Sequence, residues 1–220
     1  MHYKLPKSIS TIFVIIILCN VSVSDLSHAG QDDNGINKNM EDNHMTCLQT
    51  LAETTIGVLI ATRGVIAKNQ ELINRDPTTG NYYVKGFVPA VAGSQVANDF
   101  SLMTGHKLKQ TSLKIRNPSN APDEWEKRVL KLMETPEYSH GKGFGETMAT
   151  NGNESYRYMK PIYVEVACLQ CHGNEEKVKP AIRQFLKRKY PFDEAFGYKE
   201  GDLRGGISLT ISFKKSKYQK

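Results

Sequence analysis

The chain has 220 residues, 39% of them hydrophobic, and a formal net charge of +6. That is material for one ordinary globular domain with extensions. The charge excess is modest and no dense basic run is interleaved with aromatics, which excludes a nucleic-acid binder as the expectation. Some of the positive charge is left to face anionic groups or an acidic partner.

Lys4 and Lys7 precede an apolar run, Thr11–Val23, that is followed by small-residue triplets at Ser22–Ser24 and Ser27–Ala29. The run is shorter than the about 20 residues a bilayer-spanning helix needs, and it fits a secretory signal. Residues 1–29 are therefore expected to be a signal peptide, with an uncleaved anchor as the alternative. The mature chain is then exported and carries no integral membrane span. Cleavage near Ala29 removes Lys4, Lys7 and Asp25, taking Lys+Arg from 29 to 27 and Asp+Glu from 23 to 22, so about +5 remains. It also removes Cys19. Three cysteines are left, Cys47, Cys168 and Cys171, and an odd number argues against a pure disulfide framework.

Residues 30–43 are polar and rich in Gly and Asn, which predicts a disordered linker. From Met45 to Asn74, Leu48, Leu51, Leu59, Ile66 and Ile73 recur near helical spacing. A helix over residues 44–75 is long for a small domain. Packing on a partner chain, as in a homo-oligomer, and folding back onto its own domain are equal expectations. "YYVKGFV" (Tyr82–Val88) has strand character. "PAVAGSQVANDFSLMTG" predicts a helix that starts at Pro89 and stops at Gly105. "HKLKQTSLKI" alternates as a strand, and Asp123 with Glu126 forms a capping box for "EWEKRVLKLME". "GFGETMAT" and "SYRYMKPIYVEV" flank a turn and predict a hairpin. "VKPAIRQFLKRKY" is a short basic helix, and "LRGGISLTISF" a last strand. Five or so antiparallel strands with helices between the early ones predict an α+β domain with helices on one sheet face.

The stretch "ACLQCHG" (Ala167–Gly173) carries the chemistry. Zinc needs four protein ligands, and neither a second CxxC nor an HxxxH is present. A thioredoxin-type dithiol should open a helix after a strand in a βαβ unit, and no parallel-sheet pattern surrounds this one. Haem attachment uses every residue of the motif: two thiols form thioethers and the adjacent imidazole reaches the iron. Gly173 is expected to ease the backbone past the porphyrin. A redox disulfide is the remaining alternative.

Four segments then appear in register: "QTSLKIRNPSNAPDEWE" (Gln110–Glu126), "YRYMKPI" (Tyr156–Ile162), "CLQCHG" and "YPFDEAFGYKEGDLRGGIS" (Tyr190–Ser208). Together, from about Tyr82 to Phe213, they resemble the c-type haem-binding, PAS-like domain found on the outer side of bacterial sensor kinases and chemoreceptors and as a stand-alone exported protein. The resemblance implies a PAS-like antiparallel sheet with flanking helices over residues 76–214, preceded by the long N-terminal helix and followed by a tail at 215–220. It implies one covalent haem c on Cys168 and Cys171, with His172 as the proximal iron ligand and a periplasmic location. Lys114, Arg116 and Arg204 become candidates for pairing with propionates, and Trp125, by default a core residue of an amphipathic helix, a candidate haem contact.

The resemblance also breaks in one place. Some stand-alone members carry an iron-binding cysteine in the helix before the "TSLK" strand, and Pro89 falls at about that position. Proline has no donor atom, so the sixth position is either open or taken by another group. Cys47 is the candidate substitute; His106, His140, Met103 and Met159 are weaker ones. No kinase or cyclase pattern follows, so such a sensor is expected to act through a separate partner. The expected function is sensing of redox state or of a small diatomic ligand, with electron transfer to a redox partner protein as the alternative. A haem enzyme sets an acid–base pair over the open iron face. No such pair is identifiable, and an enzyme is not expected.

Overall fold

A computed structural model describes residues 33–138, 140–150 and 153–214 of the protein. The expected signal peptide and C-terminal tail lie outside these residues. By internal contacts the chain divides into two compact units, Met1–Thr50 and Leu51–Lys220.

Helix α1 spans Asp33–Lys68 and α2 Gln70–Asn74. Residues 33–43, expected to be a disordered linker, are thus helical. Their polarity does not forbid the helix, because adding turns to an existing helix costs far less than starting one. In the first unit the hydroxyls of Thr46 and Thr50 donate to the carbonyls of Asp42 and Thr46, one turn back. In the second unit Ala52, Ile56 and Leu59, at helical spacing, are buried. This stretch of α1 therefore packs against its own domain. Asp42–Lys68 also has the length and apolar composition of a membrane-crossing helix. The expected single helix to Asn74 breaks at Asn69, whose backbone N–H and side-chain amide both donate to the Val65 carbonyl. Asn competes with the backbone in this way and ends helices.

The expected strand at Tyr82–Val88 is reduced to one isolated pairing, Arg75 with Tyr82. Asn74 explains why. Its carbonyl accepts from Tyr83 N–H at 2.6 Å and its side-chain oxygen from Lys85 N–H at 2.9 Å, so the segment's donors are spent on the end of α2. Helix α3, Pro89–Thr104, begins and ends as expected: Pro89 occupies its first turn and Gly105 closes it in the left-handed region at φ 75°.

Four strands form one antiparallel sheet: β1 Lys107–Thr111, β2 Phe144–Thr150, β3 Asn153–Tyr163 and β4 Leu203–Lys214, in the order β1-β4-β3-β2. β2 and β3 make the expected hairpin, with Gly145 opposite Tyr158 and Phe144 opposite Met159. β4, the last strand in sequence, pairs with both β1 and β3 and so closes the sheet through its longest-range contacts. Between β1 and β2, α4 spans Glu124–Met133 and has the predicted capping box of Asp123 and Glu126. Its face of Trp125, Val129, Leu130 and Met133 packs with Met159 of β3 into one buried cluster. Each such side chain contributes about 1.5–3 kcal/mol. After β3 come a short α5, Leu169–His172, and the basic helix α6, Pro180–Lys189. The architecture is α+β, with an open four-stranded sheet, flanking helices and a long N-terminal helix.

Candidate haem-attachment site

The CxxCH motif occupies a tight helical segment. A 3-10 turn, Val166–Cys168, runs directly into α5. Residues three apart on such a turn share a face, so the thiols of Cys168 and Cys171 are displayed together. Both cysteines are unbridged and half-buried. Cys168 packs against the cluster of Val164, Ala195 and Tyr198, and Cys171 against that of Val178, Ile182 and Leu186. Burial pushes the Cys171 thiol up, with Arg116 opposing. Gly173 is required for a reason internal to the turn. A Cβ there would sit 2.8 Å from the Leu169 carbonyl oxygen.

The loop at 190–198 fixes His172. Its Nδ1 lies 2.8 Å from the Ala195 carbonyl oxygen. A carbonyl only accepts, so the proton sits on Nδ1 and the Nε2 lone pair is left for another partner. Around it, Gly197 N–H donates to the Gly173 carbonyl and Tyr198 N–H to the His172 carbonyl. The Tyr198 ring meets the imidazole edge-on at 6.1 Å between centroids. Burial, then the charges of Arg204 and Arg116, push the His172 imidazole down to about 2, so it is neutral across the physiological range. That is the metal-ligating form.

Arg116 holds this loop in place. Its Nε pairs with Asp193 at 2.7 Å, and its Nη2 donates to the carbonyls of Cys171 and Ala195 at 2.7 and 3.3 Å. Asp193 in turn accepts from Ala195 N–H. Expected as a propionate partner, Arg116 already has a carboxylate and serves to position the histidine's acceptor.

The other expected residues divide. Arg204 donates to Ser112 Oγ at 2.6 Å and stacks over the Tyr198 ring at 5.3 Å. Lys114 is exposed, donates to the Phe196 carbonyl and also lies over the Tyr198 ring, at 4.8 Å. Both therefore converge on the loop that holds His172. Trp125 does not; it is buried in the α4 cluster, its Nε1 donates to Glu146 at 2.5 Å, and Arg157 covers its ring. This is the core packing expected of it by default. Cys47 belongs to the other unit and is half-buried.

Two contributors were not anticipated. Asp193 lies within the Tyr190–Ser208 segment, where nothing in the local pattern singles it out. Arg63 continues the buried stripe Ala52, Ile56, Leu59, and donates to Gln110 Oε1. A charge at the next position of an apolar stripe is the signal that could have found it.

The family model called Tll0287-like matches residues 41–212. The chain belongs to the Tll0287-like family. Among solved structures it resembles the cyanobacterial heme-protein Tll0287, with a TM-score of 0.56 and 24% identity over 74% of this chain and 96% of that one. At that identity the likeness speaks for the fold, and it places the sheet and helices of this Tll0287-like chain among those of a known architecture. No curated protein matches the chain.

Proposed function

We propose that the chain is an exported bacterial mono-haem c protein that senses redox state or binds a small diatomic ligand at the iron. The observation that carries this is the neutral His172, held by Ala195 through Nδ1 with Nε2 free, on the same turn as two unbridged thiols. Haem would supply a redox-active iron with two axial positions. Cys168 and Cys171 would anchor it by thioethers and His172 would be the protein's axial ligand. Membership of a family typified by a heme-protein supports the same reading.

An open sixth position is supported by how the alternatives are used. Pro89 sits in the first turn of α3 and offers no donor. Met159 is fully buried in the Trp125 cluster, Met103 is 74% exposed, and His140 is stacked on Tyr163 at 3.7 Å. His106 immediately precedes β1, the edge strand of the sheet. Absorption spectra of the purified holoprotein, oxidised and reduced, with and without carbon monoxide, test the reading. High-spin ferrous iron that takes up carbon monoxide within mixing time is expected. A low-spin ferrous spectrum indifferent to carbon monoxide overturns ligand sensing in favour of electron transfer.

A further inference from the structure

Four half-buried arginines of the second unit, Arg63, Arg116, Arg157 and Arg204, differ in how their charge is met. Arg116 is paired with Asp193 and Arg157 with Asp123 at 2.8 Å, so each of these charges has a carboxylate. Among the described residues no carboxylate is bonded to Arg63 or Arg204. Among the described residues Arg63 reaches only the neutral amide of Gln110, and Arg204 only the Ser112 hydroxyl, the Lys114 carbonyl and the Tyr198 hydroxyl. The two guanidinium groups nevertheless stand close enough to repel. Arg204 helps to push Arg63 down to about 10, after burial. Both also act on His172, and Arg63 on Cys168, so they face the attachment motif.

Asp193 also attracts Arg204 but is itself bonded to Arg116. Two recessed like charges with no carboxylate of their own are costly, and a structure keeps them where an anion completes the site. The Gln110 amide cannot be that anion. It is itself held, donating to the Ala90 carbonyl and Ser94 Oγ at 2.9 Å, so it fixes Arg63 from behind and leaves the fork's remaining donors free. Guanidinium forks suit planar carboxylates bidentately.

We propose that Arg63 of α1 and Arg204 of β4 form a two-pronged carboxylate seat beside His172, filled by the propionates of the haem. This rests on the haem reading above and adds to it a residue from the N-terminal helix. Arg63 lies far in sequence from every motif of the site, so α1 contributes to holding the cofactor and is tied to its charge.

The experiment uses full-length holoprotein and the variants Arg63→Gln, Arg63→Lys and Arg204→Gln. Haem content by mass is read first, then the reduction potential as a function of pH. In Arg63→Gln and Arg204→Gln the potential is expected to fall, because a nearby positive charge that favoured ferrous iron is gone. A proton-linked step should also appear as the orphaned propionate titrates at a raised pKa. Arg63→Lys keeps the charge and should restore most of the potential. If haem is attached but Arg63→Gln leaves the potential and its pH profile unchanged, the seat is refuted while the haem reading stands. If no haem is attached to the wild type, the haem reading itself fails. A wild-type potential that moves with added phosphate would assign the seat to a free anion and refute the propionate assignment.

Discussion

Arg116 pairs with Asp193 at 2.7 Å and with the same fork reaches the carbonyls of Cys171 and Ala195, tying the loop that holds His172 to the turn that carries it. Both side chains are largely buried, 12% and 6% exposed. Removing one partner of such a pair strands the other's charge, at a cost of about 3–5 kcal/mol. Arg116→Gln should therefore lower the unfolding free energy by an amount of that order in a urea titration. Arg116→Lys, which keeps the charge and loses the fork, should fall between. A loss under about 1 kcal/mol in Arg116→Gln would show the pair to be dispensable.

The thioether assignment predicts one haem per chain that survives acid–acetone extraction. Cys168→Ala and Cys171→Ala should each leave a single linkage and the double variant none. Mass spectrometry of the mature chain reads this directly. Haem that extracts freely from the wild type would remove the foundation of the site.

His172→Ala should leave the thiols in place and change the iron spectrum grossly. The ring has a defined tautomer and one free nitrogen, so nothing adjacent replaces it. An unaltered spectrum in a haem-loaded variant would dismiss His172 as the axial ligand.

Tyr158 holds α1 to the sheet: its buried hydroxyl donates to Glu53 at 2.7 Å. Burial first, then Glu53, push this phenol well above its usual range, so it stays protonated and a donor. Tyr158→Phe should cost about 1.5–3 kcal/mol, as for a buried hydrogen bond to a charged group. Hydrogen exchange should show the loss as earlier opening of α1 between Leu51 and Lys68. Unchanged exchange there would mean that the apolar stripe alone holds the helix.

Asp123 makes stability depend on acid pH. Burial acts to raise its carboxyl, but the Glu126 N–H and Arg157 outweigh burial and lower it. A depressed folded-state carboxyl contributes stability above its ordinary value near about 4, and loses it as pH falls through the folded one. Stability should therefore drop at the acid end. Asp123→Asn should flatten part of that drop, whereas Asp123→Ala should also lose the cap, about 1 kcal/mol at neutral pH. Identical acid profiles for wild type and Asp123→Asn would assign the drop elsewhere.

What the sequence determined alone was local. The bounds of α3 follow from proline's fixed φ and glycine's freedom at Gly105. The capping box of α4 follows from side chains bonding their own backbone, and the β2–β3 hairpin from alternation across a turn. The CxxCH motif is likewise contiguous, so its three groups could be named before any fold was known. Tertiary structure decided everything that depends on which segments meet. Asn74 spends the donors of Tyr83 and Lys85, so a segment with strand composition is not one. The Asn69 amide competes for the Val65 carbonyl and divides a helix that periodicity left whole. Trp125 and Arg116 sit in matched motifs, yet burial gives one to the core and an ion pair gives the other to Asp193. Arg63 shows the reverse. Its own neighbours mark it only as a charge on an apolar stripe, and its meaning comes from Gln110, Arg204 and His172, at least 47 residues away in the chain, which folding brings around it. Propensity and capping act within a few residues, whereas counter-charge and burial act through space, and only the fold sets that distance.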